Sequence, residues 1–259
     1  MIANYHTHTF RCGHAEGSES EYARIAADSG LEILGFADHT PCDFTDTGPR
    51  DRPMRMKPGE LGEYADSVRS LTAEYAGRME ILLGVEAEYY PRYFERTLEL
   101  LRAHGVRYMI LGQHFTNNET DGVYCGRPTD DEAVLDRYVS QSVEALKTGL
   151  FSCFAHPDLI RYTGDTVVYE RHMRRLCRAA AETHTPLEIN LLGLRSGRNY
   201  PDERFWRLAG EEGNSALLGC DAHRPGDVRD PESEASALRI AEKYSLPLLR
   251  TLELRDLLK

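Results

Sequence analysis

The 259-residue chain has no run approaching the roughly 18 uninterrupted apolar residues of a membrane span, so a helical membrane protein is excluded. It has no C-x-x-C pair. Its six cysteines, Cys12, Cys42, Cys125, Cys153, Cys177 and Cys220, are scattered, which indicates neither a thiolate zinc knuckle nor a disulfide framework; buried free thiols are the expectation. It also lacks a basic surplus: 31 Lys plus Arg against 42 Asp plus Glu leave a formal charge of −11. Binding to a phosphate backbone needs the opposite balance, so neither nucleic acid nor membrane is an expected partner. With 21 Gly and 12 Pro the chain is far from a collagen-like or low-complexity composition. No break in composition marks a linker and no repeat marks a solenoid, so one domain over residues 1–259 is expected. The first apolar run falls within Met1 to Tyr5, which leaves no room for a signal peptide, and a cytoplasmic location is expected.

What the chain does have is one recurring unit, a short β-branched or leucine-rich run followed by a loop and a longer amphipathic segment. That is β/α alternation. The runs fall at 2–5, 33–36, 81–85, 108–111, 152–155, 187–190 and 216–219, with 246–249 a weaker eighth. Helical patterns lie between them at 19–29, 59–76, 92–103, 130–147, 169–183, 201–211 and 233–243; Ser18 suits an N-cap and Gly30 the position after a helix end. Seven or eight such units in one domain predict a barrel. The connection from Thr40 to Pro58 exceeds the usual two to six residues and carries Arg50, Arg52, Arg55 and Lys57, partly offset by Asp43, Asp46 and Asp51; this composition suits a cationic lid over an anionic substrate.

Ten histidines are present, and seven of them, His6, His8, His14, His39, His114, His156 and His223, fall at or just after the C-terminal end of a predicted strand. The third strand ends at Glu86, and the seventh runs into Asp221. In a closed parallel barrel all strand C-termini open on one face, so these nine side chains should converge. Imidazole and carboxylate are the ligands of zinc, manganese and iron, and nine donors exceed what one ion of four to six ligands can use, so two or three ions are implied. His6 and His8 form H-x-H, whose alternate residues on an extended chain point to one side; Asp221-Ala222-His223 repeats that spacing with a carboxylate. His104, His172 and His184 fall elsewhere and are assigned no role.

These residues give the chain a resemblance to the PHP (polymerase and histidinol phosphatase) family, and within it to the histidinol-phosphatase branch. It rests on His6-Thr7-His8-Thr9, Cys12-Gly13-His14-Ala15, Gly35-Phe36-Ala37-Asp38-His39, Gly84-Val85-Glu86-Ala87-Glu88-Tyr89, His114-Phe115, Ala155-His156-Pro157-Asp158-Leu159, Glu188-Ile189-Asn190 and Asp221-Ala222-His223, which together span nearly the whole chain. The resemblance implies an α/β fold, a distorted (β/α)7 barrel, with three divalent ions (zinc, manganese or iron). One would be held by His6, His8, Glu86 and Asp221, a second by Glu86, His114 and His156, and a third by His14, His39 and His223.

Phosphate-ester hydrolysis suits such a site, since two cations lower the pKa of a shared water and hold the hydroxide in line with phosphorus. Glu86, Asp221 and His223 are the expected catalytic residues. Arg161 and Arg195 are expected to grip the phosphate, with Arg224 a weaker third, because they sit where the family places basic contacts and a guanidinium fork matches phosphate geometry. The implied substrate is L-histidinol phosphate. Competing readings are a PHP phosphoesterase for nucleotides or sugar phosphates, a non-catalytic metal-sensing or interaction module, and an amidohydrolase-type barrel; the last normally needs a bridging lysine, and no Lys lies near the strand ends.

Overall fold

Parallel strands covered on both faces must be apolar along their whole length. The runs at 81–85 and 108–111 satisfy this, and in the structure both lie in buried strands. The computed structural model describes residues 1–41 and 54–259. Its seven strands, β1 (Ala3–Asn4), β2 (Ile33–His39), β3 (Glu80–Ala87), β4 (Tyr108–Leu111), β5 (Phe151–Phe154), β6 (Leu187–Asn190) and β7 (Ala216–Gly219), are all parallel and pair in chain order. The expected barrel is therefore found. The sheet curls round until the chain beyond β1 meets the chain beyond β7: Thr7 bridges Ala222, and His8 N–H donates to the Ala222 carbonyl at 2.9 Å. The eighth run, 246–249, forms a bridge rather than a strand, with Leu248 alongside Ala216.

Helices α1 (Glu19–Asp28), α2 (Leu61–Glu74), α3 (Phe94–Ala103), α4 (Glu132–Lys147), α5 (Thr166–Glu182), α7 (Glu203–Glu211) and α8 (Pro231–Lys243) match the seven amphipathic patterns, and the short α6 (Leu191–Arg195) was not anticipated. Local chemistry fixes several ends. Ser18 N–H donates to Glu21 Oε2 at 2.8 Å, Asp131 caps α4 and Asp165 caps α5, while Gly30 takes φ +80° after α1, a conformation that costs glycine little. Among the described residues no helix is long and apolar enough to cross a membrane.

The barrel interior explains how the site is carried. Ala3, Tyr5, Leu82, Tyr108, Ile110, Cys153 and Leu217 form an inner cluster, closed at the opposite end from the site by Leu252 of the C-terminal segment, whose N–H donates to Tyr5 Oη at 3.1 Å. Tyr108 lies across the middle, its hydroxyl donating to the carbonyls of Tyr5 (2.9 Å) and Phe36 (3.1 Å). It fits because β2 and β3 carry Gly35 and Gly84 opposite: a Cβ there would lie 2.1 and 2.2 Å from Tyr108 atoms. Side chains on a strand alternate, so a residue two places beyond an inward position also points inward. Leu82 and Gly84 lead to Glu86, Ala37 leads to His39, and Leu217 and Gly219 lead to Asp221. The apolar plug thus forms the floor on which the polar residues stand.

Candidate metal centre

Six of the seven strand-end histidines, with Glu86 and Asp221, close into one cluster, and His14 joins it from the bend that follows the 3-10 turn at Phe10–Cys12. His8 lies with its ring centroid 4.4 Å from those of His39 and His223, His14 is 5.2 Å from His39 and 4.9 Å from His223, and His114 is 4.9 Å from His156. Glu86 is at the centre and nearly sealed from solvent, at 1% exposure. Its Oε2 faces His39 Nδ1 (3.0 Å), His8 Nε2 (3.4 Å) and His6 Nε2 (3.6 Å), and its Oε1 faces His156 Nε2 (2.9 Å) and His114 Nε2 (3.5 Å).

The spacing of one quartet is diagnostic. A cation held tetrahedrally at about 2.05 Å by nitrogen and oxygen would keep its ligands about 3.3 Å apart. His6 Nε2 is 3.0 Å from His8 Nε2 and 3.4 Å from Asp221 Oδ1, while His8 Nε2 is 3.2 Å from Asp221 Oδ1. With the Glu86 distances these form five edges between 3.0 and 3.6 Å. Both Glu86 oxygens and Asp221 Oδ1 are buried without a hydrogen-bond donor, a costly arrangement for carboxylates unless a cation serves them. On donor chemistry and spacing, therefore, the residues fit divalent ions. Triads that include His8, His39 and His223, or Cys12, His14 and His223, also place their donor atoms within 4.8 Å of one another, so buried Cys12 borders the outer part of the cluster.

Carboxylates and carbonyls behind the rings set which nitrogen is free. His6 Nδ1 bonds Glu188 Oε1 (2.8 Å), His114 Nδ1 bonds Glu88 Oε1 (3.1 Å), and His14 and His223 donate Nδ1–H to the carbonyls of Cys12 (3.0 Å) and Asp221 (3.1 Å). In all four Nε2 is left to act as a ligand, the arrangement that orients imidazoles at metal sites. Glu188 also accepts from His156 N–H (3.0 Å) and Asn190 Nδ2 (2.9 Å), and Asp38 accepts from Thr9 N–H and lies 3.6 Å from His8 Nδ1. His156 and Asp221 have φ of 33° and 45°, left-handed values that cost non-glycine residues about 1–3 kcal/mol and concentrate at functional sites.

Protonation in the cluster is a contest between burial and charge. Burial opposes ionisation of Glu86 and Asp221, yet the surrounding imidazoles outweigh it and hold both carboxyls well below the usual range. Burial likewise opposes charging His6, His8 and His114, but the carboxylates prevail, placing His6 well above its ordinary value and His8 at about 9, with His114 also raised. Burial wins at His14, His39 and His223, the last pushed down to about 3. Protons and cations compete for the same donors, so cation uptake releases protons.

Above the cluster opens a cavity of about 590 Å³, within the about 300–1,000 Å³ of small-molecule sites. Its wall includes Met54, Tyr124, Leu192 and Tyr200 with the arginines 195, 198 and 224. The structure places the two expected phosphate contacts, Arg161 and Arg195, differently. Arg161 is exposed and does not line the cavity; backbone bonds with Cys125 and Thr129 run its segment along the loop after β4 instead. Arg195 lines it but is committed, donating to Asp230 Oδ2 (3.1 Å) and the carbonyls of Cys220 (3.2 Å) and Asp221 (3.4 Å), with Asp227 Oδ2 3.5 Å away. It clamps the turn that presents Asp221. Arg195→Ala is accordingly expected to lower bound metal by about 10- to 100-fold in affinity, the usual effect of removing support behind a ligand, as read by chelator competition; normal metal retention with a raised KM would restore it as a phosphate contact. Arg198 lines the cavity with Nη1 on Tyr200 Oη at 2.8 Å, and Arg224 faces Glu16 at 3.6 Å. The segment carrying Arg50 and Arg52, expected to act as a lid, lies outside the described residues.

Sequence reasoning assigned no role to Glu88, Glu188, Asp38 or Arg198, and it placed Arg55 in a lid rather than behind a ligand. The alternation argument applied to H-x-H applies equally to Glu86-x-Glu88 and Glu188-x-Asn190, so the first two were within reach. His172, by contrast, sits between α4 and α5 with Nε2 3.0 Å from Glu132, away from the cluster.

Fold and site together define a metal-binding (β/α)7 barrel with its chemistry at the strand C-termini. The chain belongs to the PHP domain family, whose profile matches residues 4–191. It is 33% identical over 240 residues to a probable histidinol-phosphatase of Deinococcus radiodurans, covering 88% of each chain, and 27% identical over 254 residues to a histidinol-phosphatase of Bacillus subtilis, covering 86% of this chain and 94% of that one. Its fold is similar to that of the histidinol phosphate phosphatase of Lactococcus lactis, solved with zinc, L-histidinol and phosphate, with a TM-score of 0.74 at 19% identity over 96% of this chain and 95% of that one.

Proposed function

We propose that this protein is a metal-dependent phosphatase that hydrolyses L-histidinol phosphate to L-histidinol and phosphate, a cytoplasmic step of histidine biosynthesis. The observation that carries the reading is the Glu86-centred set of donor atoms at cation-ligand spacing, opening on a cavity with three arginines in its wall. The names of the relatives select the ester. His6, His8, Glu86 and Asp221 would hold one ion, Glu86, His114 and His156 a second, and His14, His39 and His223 a third, each ion zinc, manganese or iron.

Bound divalent ions supply a water of lowered pKa and positive charge opposite the phosphoryl oxygens. The chain's own residues do the positioning. Glu86 divides its two oxygens between two groups of imidazoles, so one carboxylate sets their separation. Asp221 has Oδ2 held by the Asn190 amide (3.1 Å), which fixes the carboxylate and leaves Oδ1, the atom without a donor, turned toward His6 and His8 as a ligand. His223, kept neutral by burial and by His8, directs Nε2 away from the carbonyl that holds its Nδ1–H.

The test is phosphate release by the purified, metal-loaded protein from L-histidinol phosphate and from a panel of nucleotides, sugar phosphates and aryl phosphate. A site that pairs with the substrate's polar groups should favour L-histidinol phosphate by at least about 10²-fold in kcat/KM. Comparable values across the panel would replace the assignment with a general phosphoesterase.

A further inference from the structure

Arg55 is nearly sealed from solvent, its side chain 9% exposed, although it belongs to the long β2–α2 connection. Its guanidinium meets Glu88 with both prongs, Nη1 to Oε2 and Nη2 to Oε1, each at 3.0 Å. Nη2 also pairs with Glu119, and Nη1 donates to the Thr40 carbonyl at 2.6 Å. Thr40 in turn returns its N–H and hydroxyl to the Glu86 carbonyl, both at 2.8 Å. One side chain therefore gathers the end of β2, the end of β3 and the loop after β4.

Glu88 is the pivot. It is 5% exposed, and its carboxylate is held by the Arg55 fork and by one nitrogen of His114. The same Oε1 that meets Arg55 takes His114 Nδ1 at 3.1 Å, and the opposite nitrogen, Nε2, faces Glu86 Oε1 at 3.5 Å. Without the Arg55 guanidinium behind it, Glu88 would be a buried carboxylate with one imidazole partner, free to swing. A bidentate fork holds a carboxylate in one plane, and a lysine, a point charge, does not.

We propose that Arg55 is a positioning residue for the metal centre: by fixing Glu88 it fixes the orientation and tautomer of His114, and so the grip on the ion shared by His114, His156 and Glu86. The inference rests on the metal-centre reading above, but not on the identity of the substrate. It makes the connection after β2 part of the metal site, through its last residues, and gives Arg55 a task other than contacting an anionic ligand. The local charge agrees, since Arg55 faces two carboxylates, Glu88 and Glu119, and is not a surplus positive charge.

The test is zinc retention against a graded chelator, read without substrate, for wild type, Arg55→Lys, Arg55→Ala, Glu88→Gln and the Arg55→Ala/Glu88→Gln double variant, with circular dichroism as the check of folding. Arg55→Ala is expected to loosen one ion by about 10- to 100-fold and leave the remainder at wild-type affinity. Arg55→Lys should recover part of that loss. Glu88→Gln should loosen the same ion, and the double variant should be little worse than either single one, because both act through one chain of contacts. Wild-type retention in Arg55→Ala, an equal loosening of every ion, or losses that add in the double variant would each overturn the proposal. Should Arg55→Ala fail to fold, the comparison of Arg55→Lys with Glu88→Gln decides on the same criterion. A protein that retains zinc as expected yet ignores L-histidinol phosphate would refute the substrate assignment and leave this inference standing.

Discussion

Glu86→Gln is expected to reduce kcat/KM by about 10³-fold or more, the upper range for deleting one preorganised electrostatic partner, and to leave the purified protein short of metal by elemental analysis. The substitution keeps the shape of the side chain, so the barrel should still form, with an unchanged circular dichroism spectrum. What changes is the chemistry at two points. Five imidazole nitrogens face the two carboxylate oxygens at 2.9 to 3.6 Å, and neither oxygen has a hydrogen-bond donor. An amide replaces one acceptor by an NH2 group, whose protons would point where the present geometry leaves room for cations. It also removes the one charge common to both groups of donors. A Glu86→Gln protein that kept its full complement of ions and worked within about tenfold of wild type, a difference of about 1.4 kcal/mol, would take Glu86 out of the bridging role.

The parts of this site that could be read from sequence are those governed by the two-residue period of an extended chain. Once strands are placed, inward positions come from counting, and Glu86, His39 and Asp221 stand two residues beyond Gly84, Ala37 and Gly219. The arginines expected to grip the phosphate do not obey that rule. Arg161 comes soon after His156 in sequence, but its direction is set by Tyr162 bridging Thr129, a contact with a different loop. Arg195 is turned by α6, a helix of five residues too short to leave a periodic signature, toward Asp227 and Asp230 in the segment after β7. Arg55 lies in a stretch whose composition suits a cationic lid, and its two-pronged meeting with Glu88 is visible only in three dimensions. In each case the deciding partner is remote in the chain, which composition and spacing do not reveal.

Gly112→Ala is expected to damage the centre almost as severely, although residue 112 offers no ligand. Gly112 stands two residues before His114, and the structure supplies a reason for the glycine. A Cβ at position 112 would lie 1.9 Å from Glu86 Oε1, 2.4 Å from its Cδ and 2.5 Å from its Cγ, while the backbone is tied to β3 by Gly112 N–H donating to the Ala87 carbonyl at 3.1 Å. Relief requires either Glu86 to leave the centre of the imidazoles or β4 to move from β3, and movements near 1 Å at a reacting centre cost about 10²-fold in rate. Stability should fall by about 1–3 kcal/mol, the range for overpacking, measured by denaturant unfolding. Gly59→Ala is the matched control, because nothing lies within 4 Å of its Cβ position. If Gly112→Ala bound metal and turned over like the Gly59→Ala control, Glu86 would have slack that the packing around it denies, and the fixed separation of the two groups of imidazoles would no longer explain how the site works.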